Sequence, residues 1–160
     1  MTLWMIAIIA VAFASDQTSK FIVSRYLDPH ASIDVIPSFF QLSLVHNHGA
    51  AFGILSGVEE PVRSIALISL SVAAFAILIY LYMQRPAGDR LVACSIALIS
   101  GGAIGNLTDR IRLGYVVDFL DVYVRSYHWP TFNVADSCIT IGMLLIMASM
   151  WREGRPRHAP

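Results

Sequence analysis

Long uncharged runs divide this chain into hydrophobic segments separated by short polar stretches. The run from Ser64 to Met83 holds 20 residues without a charge. At about 1.5 Å per residue, a helix of that length reaches about 30 Å, the thickness of the hydrocarbon core of a bilayer. The run from Leu91 to Thr108 is uncharged for 18 residues. Both runs predict transmembrane helices.

The two ends of the chain hold weaker runs of the same kind. Residues 1–15 are apolar but reach spanning length only if the helix continues through Asp16 to about Tyr26. Residues 129–151 are also apolar but include Asp136. We expect both to be spans, so each brings a carboxylate into or beside the membrane.

The first run also has features of a signal peptide. Leu3–Phe13 is apolar and overlaps Ala12-Phe13-Ala14, which has the small-residue spacing of a cleavage site. A signal peptide normally begins with basic residues, and none precedes this run. The pattern therefore favours a retained first span.

Arginines predict the orientation of the spans. The turn at 84–90 contains Arg85 and Arg90, and the tail from residue 152 contains three arginines against one acid. Short segments rich in Lys and Arg usually stay in the cytoplasm, which predicts cytoplasmic N- and C-termini. The predicted spans are about 3–26, 63–83, 90–108 and 130–151, followed by a basic cytoplasmic tail, 152–160.

One segment has a different pattern of apolar and polar residues. Phe40–Leu44 alternates apolar and polar residues, and Pro37 and Gly49 interrupt its surroundings. A period of two is typical of strands, so we expect a small extracytoplasmic sheet at about 32–55, between the first two helices. The predicted fold is a single all-α integral membrane domain, residues 1–160, with four transmembrane helices and this sheet.

Composition narrows the class of function. The chain is 56% hydrophobic and 14% charged, with 11 basic and 11 acidic residues. Soluble proteins are about 25% charged, and nucleic-acid binders need a positive surface. The composition therefore argues against a disordered chain and a nucleic-acid partner.

Charges inside spans are costly and usually paired or functional. Asp16 and Lys20 are four residues apart, which places both on one helix face as a structural ion pair. Asn106, Asp109 and Arg110 close the third predicted span, where Asp109 and Arg110 fit an ordinary interfacial ending. Asn106 lies among small residues that allow close helix approach, and its amide needs a hydrogen-bond partner.

Asp118 and Asp136 differ from these residues because neither has a neighbouring base in the sequence. Asp118 has no Lys or Arg within four positions, and Asp136 stands at the head of the fourth predicted span. Two desolvated carboxyls brought together share one proton at neutral pH, as amide hydrolysis by an aspartic protease requires. Taken alone, Asp136 also fits a helix N-cap.

Other sites have weaker support. His46 and His48 share one face of a predicted strand but lack further ligands, so we interpret them as a surface pair and expect no metal. Cys94 and Cys138 fall in apolar runs and fit small buried residues. A small proton-conducting transporter and a non-catalytic scaffold remain as alternatives, because intramembrane acids also mark ion pathways.

Five motifs in order resemble the lipoprotein signal peptidases, or signal peptidase II, aspartic proteases of the bacterial plasma membrane. The motifs are Asp16-Gln17-x-x-Lys20, Asn47-x-Gly49-Ala50-Ala51-Phe52, Gly105-Asn106-x-x-Asp109-Arg110, Val117-Asp118-Phe119 and Phe132-Asn133-x-Ala135-Asp136.

The resemblance implies an endopeptidase that cuts prolipoproteins on the amino side of a diacylglyceryl-modified cysteine, near the extracytoplasmic face of the inner membrane. It implies no cofactor, prolipoprotein and lipid partners, and a monomer. It also implies an outer sheet that cradles the substrate. The residues it assigns are the catalytic Asp118 and Asp136, the surrounding Asn47, Gly49, Asn106, Arg110, Asn133 and Ala135, and the supporting Asp16 and Lys20.

Overall fold

The computed structural model describes residues 2–49, 59, 61–83 and 89–153. The predicted cytoplasmic turn at 84–88, most of the tail and the end of the predicted sheet region, 50–55, lie outside the described residues. In chain order the elements are α1 (Leu3–Tyr26), β1 (Ser32–Ile36), β2 (Phe40–Asn47), α2 (Val62–Met83), α3 (Arg90–Leu113), β3 (Val116–Val124), β4 (Tyr127–His128) and α4 (Val134–Glu153).

Helix α1 presents a narrow buried stripe to the rest of the protein. The buried residues recur at helical spacing, whereas Phe21 is 70% exposed on the opposite side. Two of the buried positions are charged, so the neighbouring helices must supply polar partners. The stripe consists of Met5, Ala12, Asp16, Lys20 and Val23.

Helix α3 packs against the other three helices. Asp89 caps its first turn by accepting hydrogen bonds from the backbone N–H of Leu91 and Val92. The helix continues past the predicted end at residue 108 to Leu113. Asn106, Asp109 and Arg110 therefore lie inside the helix. The helix does not end at Asp109 and Arg110 as expected, and side chains of other elements bond to Asn106 and Asp109.

Two glycines of α3 allow close contacts with the neighbouring helices. A Cβ added at Gly102 would lie 2.4 Å from the carbonyl oxygen of Ala135 in α4. A Cβ added at Gly105 would lie 2.5 Å from Oδ2 of Asp16 in α1. Any larger residue would separate the helices that carry the polar groups described below.

Three helices among the described residues are long and apolar enough to cross a membrane: Leu3–Tyr26, Arg90–Leu113 and Val134–Arg152. The corresponding described stretch of α2, Ile65–Ile77, is shorter. Helix α4 begins at Val134, later than the predicted residue 130, because Phe132 still pairs with Leu120 of β3.

The sheet is antiparallel with strand order β1-β2-β3-β4. Among the described residues, β1 and β2 lie between α1 and α2, and β3 and β4 lie between α3 and α4. The all-α description and the prediction of a sheet confined to residues 32–55 therefore need correction. Strand β3 escaped the sequence pattern because Val116–Phe119 are all buried, so its apolar and polar residues do not alternate with a period of two.

A hydrophobic cluster fastens the sheet to the end of the helical bundle. It joins the last turn of α1 to β2 and to the start of β3, through Val23, Leu27, Leu44, Val117 and Phe119. Because successive strand residues point to opposite faces, Asp118 turns away from this cluster.

Candidate active site

Strand pairing sets the position of Asp118. In the β2–β3 ladder Asp118 lies opposite Val45, so Asn47 is its diagonal neighbour on the same face. The side-chain amide of Asn47 donates a 2.8 Å hydrogen bond from Nδ2 to Asp118 Oδ2. Asp118 is only 2% exposed.

A capping box at the start of α4 sets the position of Asp136. Asn133 is the N-cap, and its Oδ1 accepts a 2.9 Å hydrogen bond from the backbone N–H of Asp136. In return, Asp136 Oδ2 accepts a 3.3 Å bond from the backbone N–H of Asn133. The alternative interpretation of Asp136 as the N-cap was wrong, since Asn133 holds that position.

Two asparagine side chains connect the carboxylates of Asp118 and Asp136, which we call the aspartate pair. Asn133 Nδ2 donates to Asp118 Oδ1 at 2.6 Å and to Asn106 Oδ1 at 3.2 Å. Asn106 Nδ2 donates to Asp136 Oδ1 at 2.8 Å. Each of the four carboxylate oxygens therefore accepts an N–H donor, and none of these donors is a cation.

The aspartate pair borders a cavity of about 970 Å³. Its walls come from the ends of β2 and β3, the segment Trp129–Phe132 and the first turns of α4. Asn47, Gly49, Asn106 and Arg110 line it together with the pair. Asn133 and Ala135 are 0% exposed and lie behind the cavity wall. A cavity of this size admits an extended peptide segment, with both carboxylates at its edge.

Arg110 brings a positive charge to the same cavity. Its Nε is buried and has no hydrogen-bond partner among the described residues. The guanidinium feels the charges of Asp109, Asp118 and Asp136. The aspartate pair therefore has a basic neighbour in space, although it has none nearby in the sequence. The free N–H of Arg110 is suited to bind a carbonyl or carboxylate oxygen.

Burial raises the pKa of Asp118 to about 6. The hydrogen bond from Asn47 opposes this increase, and the negative charge of Asp136 adds to it. A carboxyl with such a pKa exchanges its proton close to neutral pH, which suits an acid or base in catalysis.

A second polar group lies deeper, between α1 and α3. In this ion cluster, defined by Asp16, Lys20 and Asp109, Lys20 Nζ lies 2.9 Å from Asp16 Oδ2 and 2.8 Å from Asp109 Oδ2. Asp16 Oδ1 also accepts a 2.9 Å hydrogen bond from the backbone N–H of Ala135 in α4. The predicted Asp16–Lys20 ion pair is present, and it anchors the helix that carries Asp136.

Sequence reasoning missed two members of this network. Gln17 Nε2 donates to Asp16 Oδ2 at 3.1 Å and to Asp109 Oδ1 at 2.9 Å. Asp109 Oδ2 also accepts a 3.2 Å bond from the backbone N–H of Val117 in β3. The spacing of Gly105, Asn106 and Asp109 on one helix face was the available signal, but it requires the helix to continue beyond residue 108.

The remaining candidates have separate surroundings. The His46 and His48 rings both pack on Tyr115, with centroids 4.4 and 5.2 Å apart, and both histidines line the cavity. No group of three or more His, Cys, Asp or Glu residues suited to a metal lies within the described ranges. Cys94 and Cys138 are free and half-buried.

Asp121 is a third acid of β3, but it does not line the cavity. It is buried and accepts a 2.7 Å hydrogen bond from Gln41 Nε2, and it contacts His128 Nδ1 at 2.8 Å. This carboxylate shares the strand of Asp118 without sharing its surroundings, so it offers a natural control.

Known proteins match this chain over most of its length. The family model described as signal peptidase (SPase) II matches residues 8–152. A lipoprotein signal peptidase of Syntrophotalea carbinolica is 45% identical over 150 residues, covering 94% of this chain and 92% of the relative. One from Francisella tularensis subsp. novicida is 43% identical over 136 residues, covering 85% and 84%.

Solved structures give the same result. One bacterial membrane enzyme has a TM-score of 0.84 at 30% identity, covering 98% of this chain and 94% of the other. A second has a TM-score of 0.79 at 33% identity, covering 91% of each chain. With its apolar helices, this chain is a membrane protein, and its sequence match makes it a hydrolase of the aspartic peptidase type. The chain belongs to the signal peptidase II family, whose activity is the removal of signal peptides from prolipoproteins.

Proposed function

We propose that Asp118 and Asp136 are the catalytic pair of an intramembrane endopeptidase that cuts on the amino side of a diacylglyceryl-modified cysteine. The observation that carries the proposal is the position of Asn133. Its side-chain amide contacts one carboxylate and its backbone N–H contacts the other, while both carboxylates border one cavity. Such a link holds the two acids in a fixed relation on either side of a substrate carbonyl.

The proposed reaction uses one ionised and one protonated carboxyl. The ionised group takes a proton from water as the water oxygen attacks the peptide carbonyl carbon, and the protonated group donates to the carbonyl oxygen. The tetrahedral intermediate then collapses. Its C–N bond breaks, the nitrogen takes the proton that came from water, and the second carboxyl recovers its own from the hydroxyl. The products are a free carboxyl end and a new amino end.

The neighbouring residues have distinct proposed roles. Asn47, Asn106 and Asn133 orient the carboxylates through the hydrogen bonds described above. Arg110 holds a substrate carbonyl with its free donor, and Gly49 leaves room for the peptide at the cavity wall. Ala135 presents its backbone N–H to Asp16 and so fixes the first turn of α4.

The proposed membrane arrangement has four spans with cytoplasmic termini in the bacterial inner membrane. The sheet lies at the extracytoplasmic face and forms a cradle for the substrate, and the enzyme acts as a monomeric single domain among membrane lipids. Support comes from the arginines of the predicted turn and tail, and from the exposed apolar residues Ile33, Ile36 and Phe39 of the first hairpin.

The test measures release of signal peptide from a diacylglyceryl-modified prolipopeptide in mixed micelles. Wild type should cut it on the amino side of the modified cysteine, as read by mass spectrometry. Asp118→Asn and Asp136→Asn should each lower kcat by about 10³-fold or more, since each removes an acid–base group.

Asp121→Asn is the matched control, because it alters a buried acid of the same strand outside the cavity. It should keep kcat near that of wild type. Turnover retained in Asp118→Asn or Asp136→Asn would remove that residue from the pair. Proton flux without cleavage would instead support the transporter alternative.

A further inference from the structure

Lys20 is fully engaged by three acceptors in a nearly dry site. An ammonium has three N–H donors and no acceptor. Lys20 Nζ donates to Asp16 Oδ2 at 2.9 Å, to Asp109 Oδ2 at 2.8 Å and to Asn106 Oδ1 at 2.8 Å. The residue is buried, with 4% of its surface exposed.

The contact with Asn106 fixes which way that amide points. Its Oδ1 accepts from Lys20 and also from Asn133 Nδ2 at 3.2 Å, so its Nδ2 faces Asp136 Oδ1 at 2.8 Å. A flipped amide would set N–H groups against the ammonium and an oxygen against the carboxylate. Both contacts would be repulsive, so Lys20 allows only one orientation.

We propose that Lys20 is a positioning residue for catalysis, which acts through Asn106 to keep a donor on Asp136 and so makes Asp136 the carboxylate that takes the proton from water. The shared proton then resides on Asp118. This inference rests on the proposed catalytic pair and assigns a role to each member. The ion cluster then supports the reaction as well as the fold.

Other contacts agree with this division. The amide that donates to Asp118 Oδ2 belongs to Asn47, whose own Oδ1 accepts a 3.0 Å hydrogen bond from the neutral backbone N–H of Gly49. The pKa of Asp118, raised to about 6 mainly by burial, suits a carboxyl that holds a proton during the cycle. The charged or titratable groups that face the pair are Asp16 and Lys20 on α1, His46 in β2 and His48 just after it, and Asp109 and Arg110 on α3.

Lys20→Met tests the proposal, because it keeps the aliphatic length and removes the ammonium. We expect kcat at pH 7 to fall about 10-fold with KM unchanged, and the acid limb of the kcat/KM profile to move up by about one pH unit. Gln17→Met is the matched control. It removes a different donor of the same buried network and leaves the contacts of Lys20 intact, so it should lower stability without moving the profile.

A double-mutant cycle separates the route through Asn106 from a general effect of charge. In an Asn106→Leu background, Lys20→Met should produce no further shift of the acid limb. An unmoved profile in Lys20→Met, or an equal shift in both backgrounds, would overturn the proposal. If Lys20→Met yields too little folded protein, Asn106→Leu alone must move the acid limb in the same direction.

The same measurements distinguish this inference from the proposed function. If Asp118→Asn and Asp136→Asn abolish turnover while Lys20→Met keeps a normal profile, only the role of Lys20 falls. If either aspartate variant retains turnover, the catalytic pair itself falls.

Discussion

The ion cluster and the aspartate pair use the same residue type under opposite conditions. In the ion cluster an ammonium separates Asp16 from Asp109, and the group is sealed between helices. In the aspartate pair the oxygens accept only amide N–H groups, and both residues border a cavity. Amides orient a carboxylate without neutralising it, so one group stabilises the fold and the other keeps its acidity available.

The largest expected effect on stability comes from a substitution in the ion cluster. Asp109→Ala should lower the free energy of unfolding by about 3–5 kcal/mol, because it removes an acceptor from Lys20, from Gln17 and from the backbone N–H of Val117, and each buried donor left unpaired costs about 1–3 kcal/mol. The measurement is unfolding of the purified protein in mixed micelles of rising SDS content. Asp28→Ala, at an exposed position, is the control. Equal losses in the two variants would contradict the comparison.

The next effect acts at Asn133, which links the two members of the aspartate pair. Asn133→Ser keeps an oxygen that can cap α4 but loses the Nδ2 donor to Asp118, so kcat should fall about 100-fold while stability changes little. Asn133→Ala should show the same loss of kcat and unfold about 1 kcal/mol more easily, because it also loses the cap. A Ser variant with wild-type kcat would show that the cap alone matters.

The smallest effect appears as a dependence of stability on pH. The pKa of Asp118 is about 6 in the folded protein against an ordinary value of 3.8, so between these values the folded state binds more protons than the unfolded state. Its contribution to stability is therefore greatest below about pH 4 and is lost as the pH rises through about 6. Asp118→Asn removes this loss and should gain on the order of 2 kcal/mol relative to wild type between pH 4 and pH 7.

Unfolding measured at both pH values checks this sign. Thr108→Val, which removes a hydroxyl bonded to a helix carbonyl and no ionisable group, should differ from wild type by the same amount at each pH. If the difference in unfolding free energy between Asp118→Asn and wild type is the same at both pH values, then folding does not raise the pKa of Asp118.

Sequence reasoning located the helices well because their signal is simple. Spanning length and absence of charge identify α2 and α3 directly, and the spacing of Asp16 and Lys20 identifies their common face on α1. The two catalytic candidates were selected because no base lies near them in the chain. That criterion concerns sequence neighbours alone, so it did not reveal that Arg110 lines the same cavity.

The features that were missed all depend on contacts between distant segments. Strand β3 carries Asp118 inside a run of buried residues, which gives no period of two. The role of Asn133 as a bridge requires β3 and α4 to meet, and that of Asp109 requires α1 beside α3. Periodicity describes one element at a time, so it cannot assign partners across the fold.

The hydrogen bond from the Ala135 N–H to Asp16 has a consequence for motion. First turns of helices fray readily because their N–H groups lack partners within the helix, and fraying here would withdraw Asp136 while β3 kept Asp118 in place. Asp16 holds one of these N–H groups, and Asn133 holds another. The buried salt bridge thus holds the first turn of α4 in place. On heating, we expect this turn to stay ordered until the helical bundle itself unfolds.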